Sequence, residues 1–233
     1  MDLNDERIRE AVEHTEILRP PKQSLATFGT TNIYYYLITE PVYKDLVDNV
    51  SETVIREGRV IAQKPKVVTP YYLSRLEGFS SEARRYFEML TSKHGPNVAG
   101  LFYSYRNEPK ELNIVSDGLP AVVDRLNAEI DKRGEPLTSI IKGEDELWDV
   151  SLMRFIYEIT GSSVQNNIRQ MGARGLLNID SGGIPVDARV KIEELFRMTR
   201  TGECEPRELK DELDHWGLFE DYEDRFLALF KKR

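Results

Sequence analysis

A single change of pattern constrains this chain most. Up to about residue 118 the apolar residues gather in short β-branched and aromatic runs. From Leu119 onward they recur almost wholly at helical spacing. Strand signals first and helix signals afterwards predict an α+β protein, because an alternating α/β fold interleaves the two. The expected architecture is a small, mainly antiparallel sheet with flanking helices over residues 1–136, followed by a helical C-terminal region over 137–233 that ends in acidic helices.

The local signals give these boundaries. Residues 3–17 read as a charged helix with Leu3, Ile8, Val12 and Thr15 near one face, ended by Pro20-Pro21. Asn32–Thr39 is β-branched and aromatic throughout, which predicts a strand packed on both faces. Thr53–Gln63 reads as a strand or as a hairpin turning at Glu57-Gly58. Thr69-Pro70 is a helix start, N-cap then proline, for a helix running to about residue 94 and stopped by Gly95-Pro96. Leu101–Tyr105 and Glu111–Val115 are expected to pair across Asn107-Glu108-Pro109-Lys110. Helices are then expected at 119–133, 137–160, 164–177, 186–200 and 206–231. Their turns fall at Gly134-Glu135-Pro136, Gly161-Ser162-Ser163, Asp180–Gly183 and Thr201-Gly202.

Charge is segregated along the same axis. Between Glu203 and Asp224 there are ten acidic side chains against two basic ones, Arg207 and Lys210, a difference equal to the whole net charge of −8. An apolar stripe of Leu218, Tyr222, Phe226, Leu229 and Phe230 runs through the end of this block, and Lys231-Lys232-Arg233 closes it. An acidic amphipathic terminus suits docking to a protein partner. It disfavours a broad nucleic-acid-binding face, as does a pI of about 5.1. With 40% hydrophobic residues the chain can bury a core. The single cysteine, Cys204, precludes an intrachain disulfide framework, and the opening residues lack a secretory pattern. No uncharged run reads as a spanning helix. A cytoplasmic protein with no membrane partner is therefore expected.

Motifs for chemistry are sparse. Three histidines, His14, His94 and His215, form no His-Glu-x-x-His element. Glu212-Leu213-Asp214-His215 has Glu-x-x-His spacing, but di-metal bundles need two such elements. No metal and no cofactor is expected. Cys204 lies between Glu203 and Glu205, which disfavours a thiolate, and no nucleophile elbow or phosphate-loop signature occurs. The best small-anion candidate is the turn Thr27-Phe28-Gly29-Thr30-Thr31. There Gly29 permits close approach, Thr30 and Thr31 offer hydroxyls, and Arg19, Lys22 and Arg106 supply charge. Tyr34-Tyr35-Tyr36 is expected to be packing on at least one face.

Val164–Leu177 resembles the second helix of a winged helix-turn-helix. Val164, Ile168, Met171 and Gly175-Leu176 match the apolar pattern, and Asn166, Asn167, Arg169 and Arg174 would face the groove. Gly161-Ser162-Ser163 leaves too short a turn before it, so nucleic acid is not the expected partner.

The strings Ile17-Leu18-Arg19-Pro20-Pro21, Thr27–Thr31 with Tyr35-Tyr36-Leu37, and Tyr222-Glu223-Asp224-Arg225-Phe226 resemble a set of bacterial proteins of unassigned function. That resemblance implies a bacterial cytosolic setting and no activity. The residues themselves lead to a non-catalytic interaction or regulatory protein that docks a partner through its C-terminal helices. The alternatives are an anion-binding protein or enzyme using the Thr27–Thr31 turn, and a DNA-binding regulator using 164–177.

Overall fold

The computed structural model of the chain describes residues 3–43, 51–69, 72 and 100–230. Its architecture is mixed, with a five-stranded, mostly antiparallel sheet and a set of C-terminal helices. Two compact units emerge, one formed by Met1–Lys64 with Tyr103–Asn167 and the other by Pro65–Phe102 with Ile168–Arg233. The division thus falls elsewhere than the expected 1–136 and 137–233.

In the first unit, helix α1 (Leu3–His14) precedes strand β1 (Glu16–Arg19). Strands β2 (Thr31–Thr39) and β3 (Thr53–Ala62) follow, then β6 (Tyr105–Val115), helix α2 (Leu119–Arg133), β7 (Thr138–Lys142) and helix α3 (Trp148–Ala173), which continues past residue 167. The sheet order is β1-β7-β2-β3-β6, antiparallel except for the β2–β7 pair. Strand β2 is packed on both faces, as its composition predicts. Ile33, Tyr35 and Leu37 meet Leu152, Phe155 and Ile159 of α3, while Tyr36 and Ile38 meet Val122, Leu126 and Ile130 of α2. The same alternation sends Ile141 of β7 to one layer and Ile140 to the other.

Several boundaries differ from the sequence reading, each for a local reason. The expected helix over 137–160 begins as β7, because the short β-branched run Thr138–Ile141 is buried between two strands. Gly161-Ser162-Ser163 is not a turn. The hydroxyls of Ser162 and Ser163 donate to the Ile159 carbonyl at 3.0 and 2.6 Å, and Ser163 also accepts from the Leu25 amide at 3.0 Å, so α3 runs unbroken. The expected N-terminal helix stops at His14, and Glu16–Arg19 is strand. Its buried face is Ala11 with Thr15, while Ile8 is 45% exposed.

Glu57-Gly58 lies inside a continuous β3, opposite a bulge at Lys110, and Asn107–Lys110 is the middle of a continuous β6. Pro109 is tolerated there because β6 is an edge strand. A Cβ on Gly58 would overlap the Tyr35 phenol and lie 2.9 Å from the Glu108 carbonyl oxygen, which explains the glycine.

In the second unit, β4 (Lys66–Val68) pairs with β5 (Gly100–Phe102), so Leu101 and Phe102 do not pair with β6. Three helices follow: α4 (Val186–Thr201), α5 (Pro206–Trp216) and α6 (Phe219–Leu227), with a 3-10 turn over Ala228–Phe230. The expected 206–231 helix breaks at Gly217, whose φ of 66° admits a left-handed cap. The Leu218 amide closes it on the Leu213 carbonyl at 2.8 Å. Apart from Tyr72, the expected helix from Pro70 to residue 94 lies outside the described residues, as do Lys231–Arg233.

The core of this unit joins Val68, Tyr72, Ile192, Phe196, Leu209, Trp216 and Phe226. Phe226 is buried, edge-on to Phe219 and Phe230 with ring centroids 5.5 Å apart in each case.

Two substitutions test this packing. Gly58→Ala should lower unfolding stability by about 1–3 kcal/mol through overpacking. Phe226→Ala should lower it by about 3–5 kcal/mol through the cavity it leaves. Urea titration of each variant measures both. A loss below about 0.5 kcal/mol at either position would show that the neighbours are not in place.

Candidate functional site

The six residues expected to bind an anion are not brought together. Arg19 is registered opposite Ile140, and Ile140 opposite Tyr36, so Arg19 is level with Tyr36 and two strands away. Thr31 is five residues earlier on β2, about 17 Å along the strand and about 10 Å across from Arg19. The faces differ too. Arg19 donates to Asn127 at 2.9 Å and to Asp131 at 2.6 Å, both on α2, whereas Thr31 shares the parity of Ile33 and Tyr35, which face α3.

Lys22 joins the same Asp131 at 3.5 Å. The Arg19 guanidinium holds the Asp131 carboxyl below the usual range. The Thr31 hydroxyl accepts from the Ala26 amide at 2.8 Å, and Thr30 lies 3.5 Å from Gln63. Thr27 is buried and donates to Asn167 at 3.0 Å. Gly29, with φ 110°, shapes a turn whose hydroxyls are largely used within the fold. Arg106 is paired with Glu108 at 2.7 Å. The Thr27–Thr31 site assignment therefore falls, because its cations are neutralised elsewhere.

A concavity does exist on the α2 side of the sheet, where α2 ends and β3 and β6 continue. Tyr34, Tyr36, Arg59, Glu108, Lys110 and Arg133 line a groove of about 430 Å³. Cross-strand register aims them together, since Tyr34 is opposite Arg59 and Arg59 opposite Glu108. The charges are internally paired: Arg59 with Glu108 at 2.6 Å, Lys110 with Glu57 at 3.4 Å, and Arg133 with the Tyr36 hydroxyl at 3.2 Å. Arg59, with Arg106, pulls the Glu108 carboxyl down. The groove offers polar walls without a net sign, and no serine, threonine, cysteine or histidine among the described residues lines it. Tyr35 and Tyr36 are core, and only Tyr34, 46% exposed, presents a ring.

The acidic C-terminal block is sorted by the fold. Glu212 is buried, accepting from Trp216 at 3.2 Å, Tyr72 at 3.4 Å and Lys66 at 3.3 Å. Burial and the Glu212 charge push the Tyr72 hydroxyl up. On α5, Asp211 pairs with Arg207 at 3.8 Å and Asp214 with Lys210 at 2.5 Å. On α6, Glu220, Asp221, Glu223 and Asp224 are exposed and form no ion pair with a described residue. The one cation of α6, Arg225, turns to Glu193 of α4 through two bonds of 2.6 Å and lies 4.0 Å over the Phe196 ring.

The remaining candidates are structural. His14 bonds Glu144 at 2.8 Å, His215 packs against Tyr72, and His94 lies outside the described residues. Among the described residues no group of three or more His, Cys, Asp or Glu is placed to hold a metal ion. Cys204 is buried, and burial with the neighbouring Glu208 raises its thiol.

Residues 164–177 are the tail of α3 and the turn after it, with no preceding turn to make a helix-turn-helix. Of the expected groove-facing donors, Asn167 is buried and donates to the Tyr103 hydroxyl at 3.0 Å. The expected turn at Asp180–Gly183 is closed by Asp180. Its carboxylate accepts from the Gly182 and Ile184 amides at 2.9 Å each and from Arg189 Nε at 2.9 Å.

Among the described residues no helix is long and apolar enough to cross a membrane. Comparison with family models, curated proteins and solved structures returns no match.

The Asp180 turn makes a pH prediction. Burial opposes its charge, but the Ile184 and Gly182 amides and Arg189 outweigh this and lower its carboxyl. A carboxyl lowered in the folded state adds stability that is present above the unfolded value, about pH 4, and is lost as pH falls through the folded value. Asp180→Asn should therefore cost about 1–2 kcal/mol at pH 7 and progressively less as the pH falls below about 4. Urea unfolding of both forms at several pH values measures this. A difference that stays constant with pH would contradict the assignment.

Proposed function

We propose that this chain is a non-catalytic interaction protein that docks a basic protein partner through its acidic C-terminal helices, chiefly α6. The observation that carries the reading is the sorting of charge described above. Glu212 is buried, Asp211 and Asp214 are matched along α5, and Arg225 is drawn inward, which leaves four neighbouring carboxylates of α6 exposed. Leu227 and Phe230 are exposed beside them, so an apolar contact can accompany the charge.

The rival readings have less support. The anion site has lost its cations to Asp131 and Glu108, and the DNA reading has lost its helix-turn-helix. A cytoplasmic location is part of the proposal, supported by the single cysteine.

Affinity capture on the immobilised chain tests it. The comparison is a variant carrying Glu220→Gln, Asp221→Asn, Glu223→Gln and Asp224→Asn. A partner with a basic surface should be retained by the unaltered chain and held about tenfold less well by the variant. Raising salt to about 500 mM should release it. Identical retention on both resins, with both proteins folded by circular dichroism, would overturn the proposal.

A further inference from the structure

The two most exposed large hydrophobic side chains among the described residues sit one turn apart on α3. They are Tyr157, 80% exposed, and Met153, 63% exposed. They belong to a longer stripe. Val150, Tyr157 and Val164 recur at seven-residue intervals on α3, Met153 lies between the first two, and Gly161 lies between the last two. Val150 and Val164 are half-buried, and a Cβ built on Gly161 would meet nothing within 4 Å. The opposite side of the helix, with Leu152, Phe155, Ile156 and Ile159, is already committed to the sheet.

We propose that two copies of this chain associate through this stripe, their α3 helices antiparallel about a two-fold axis at Tyr157. The symmetry of the stripe points to a second copy. A two-fold interface requires that if residue i faces j, then j faces i. With the axis at Tyr157, Val150 faces Val164 of the second copy, seven positions to either side. Met153 faces Gly161, four positions to either side, so the long side chain meets the open space over the glycine.

Arg154 and Glu158 flank the stripe and bond each other at 2.9 Å, and Arg154 also donates to the Val12 carbonyl at 2.9 Å, which fixes its direction. In the antiparallel register Arg154 of one copy comes within about 3 Å, measured along the axis, of Glu158 of the other. The two Glu158 side chains, each one position beyond the axis, come equally close along it, so the charges run basic, acidic, acidic, basic.

The stripe from Val150 to Val164 is about 21 Å long. A helix pair of that length makes an interface at the low end of the specific range, so the dimer should be concentration-dependent, with a dissociation constant on the order of micromolar. Its contact is mainly apolar, so it should persist at about 500 mM salt, where the charge-driven docking proposed for α6 should not. The two readings therefore fail separately.

Sedimentation velocity from about 1 to 200 µM should show monomer passing to dimer, in the range where micromolar affinity is populated. Tyr157→Lys should remain monomeric throughout with an unchanged circular dichroism spectrum, since the side chain it replaces is exposed.

Cross-linking checks the register in a Cys204→Ser background. Tyr157→Cys lies on the axis and should form a disulfide with its own copy under mild oxidation. Gln165→Cys, roughly 24 Å from its mate in this register, should not. A chain that stays monomeric at about 200 µM overturns the dimer. Equal cross-linking through positions 157 and 165 overturns the antiparallel register.

Discussion

Strand β2 is packed on both faces along most of its length, and this organises the first unit. Ile33, Tyr35 and Leu37 need α3 above them, Tyr36 and Ile38 need α2 below them, and the strand's backbone is paired by β3 and β7 on its two edges. A parallel partner cannot be reached by a tight turn, so the chain must leave β6, run the length of α2 and return as β7. The helix that covers one face of β2 is thus also the connection that delivers its neighbour. The Lys22 amide on the Pro136 carbonyl at 2.7 Å, and Tyr34 on Leu137 at 2.9 Å, tie the end of that connection to both β2 and the loop before it.

The doubly buried β2 was legible in sequence because Asn32–Thr39 lacks any polar alternation. Helices α2 and α4 were legible because Gly134 and Gly202 stand where left-handed caps are needed, with φ of 66° and 77°. What could not be read depended on partners remote in sequence. Five residues, Thr138–Lys142, carry no local evidence that two strands will flank them. Gly161-Ser162-Ser163 has the composition of a turn, and the Leu25 amide that bonds the Ser163 hydroxyl within the helix comes from 138 residues away. That false break also hid the seven-residue spacing of Val150, Tyr157 and Val164, because the stripe was cut between two supposed helices.

The candidate site shows the same limit for charge. Arg19, Lys22 and the threonines are close in sequence, so proximity suggested convergence. Strand register and face parity then sent the arginine to Asp131 and the threonines toward α3. Conversely, Arg59 and Glu108 are 49 residues apart and meet at 2.6 Å, because antiparallel β3 and β6 place them opposite each other. A groove built from cross-strand neighbours has no signature along the chain.

The acidic block illustrates why net charge is a poor measure of a docking surface. Glu212 contributes fully to the formal charge, yet it is buried and bonded by Tyr72, Trp216 and Lys66, so a partner would not meet it as an exposed anion. Asp211 and Asp214 project fields largely cancelled by the cations a helical turn away. Part of the field a partner would feel comes from the four exposed carboxylates of α6, over a distance comparable with the screening length of about 8 Å at physiological salt. Charge of that kind governs encounter and orientation, whereas residence time depends on desolvated contact. Leu227 and Phe230, exposed next to the same carboxylates, supply the apolar part. Arg225 keeps that arrangement fixed. By bonding Glu193 twice and lying over Phe196 it anchors α6 to α4, and by turning to Glu193 it leaves Glu220, Asp221, Glu223 and Asp224 without a cation from their own helix.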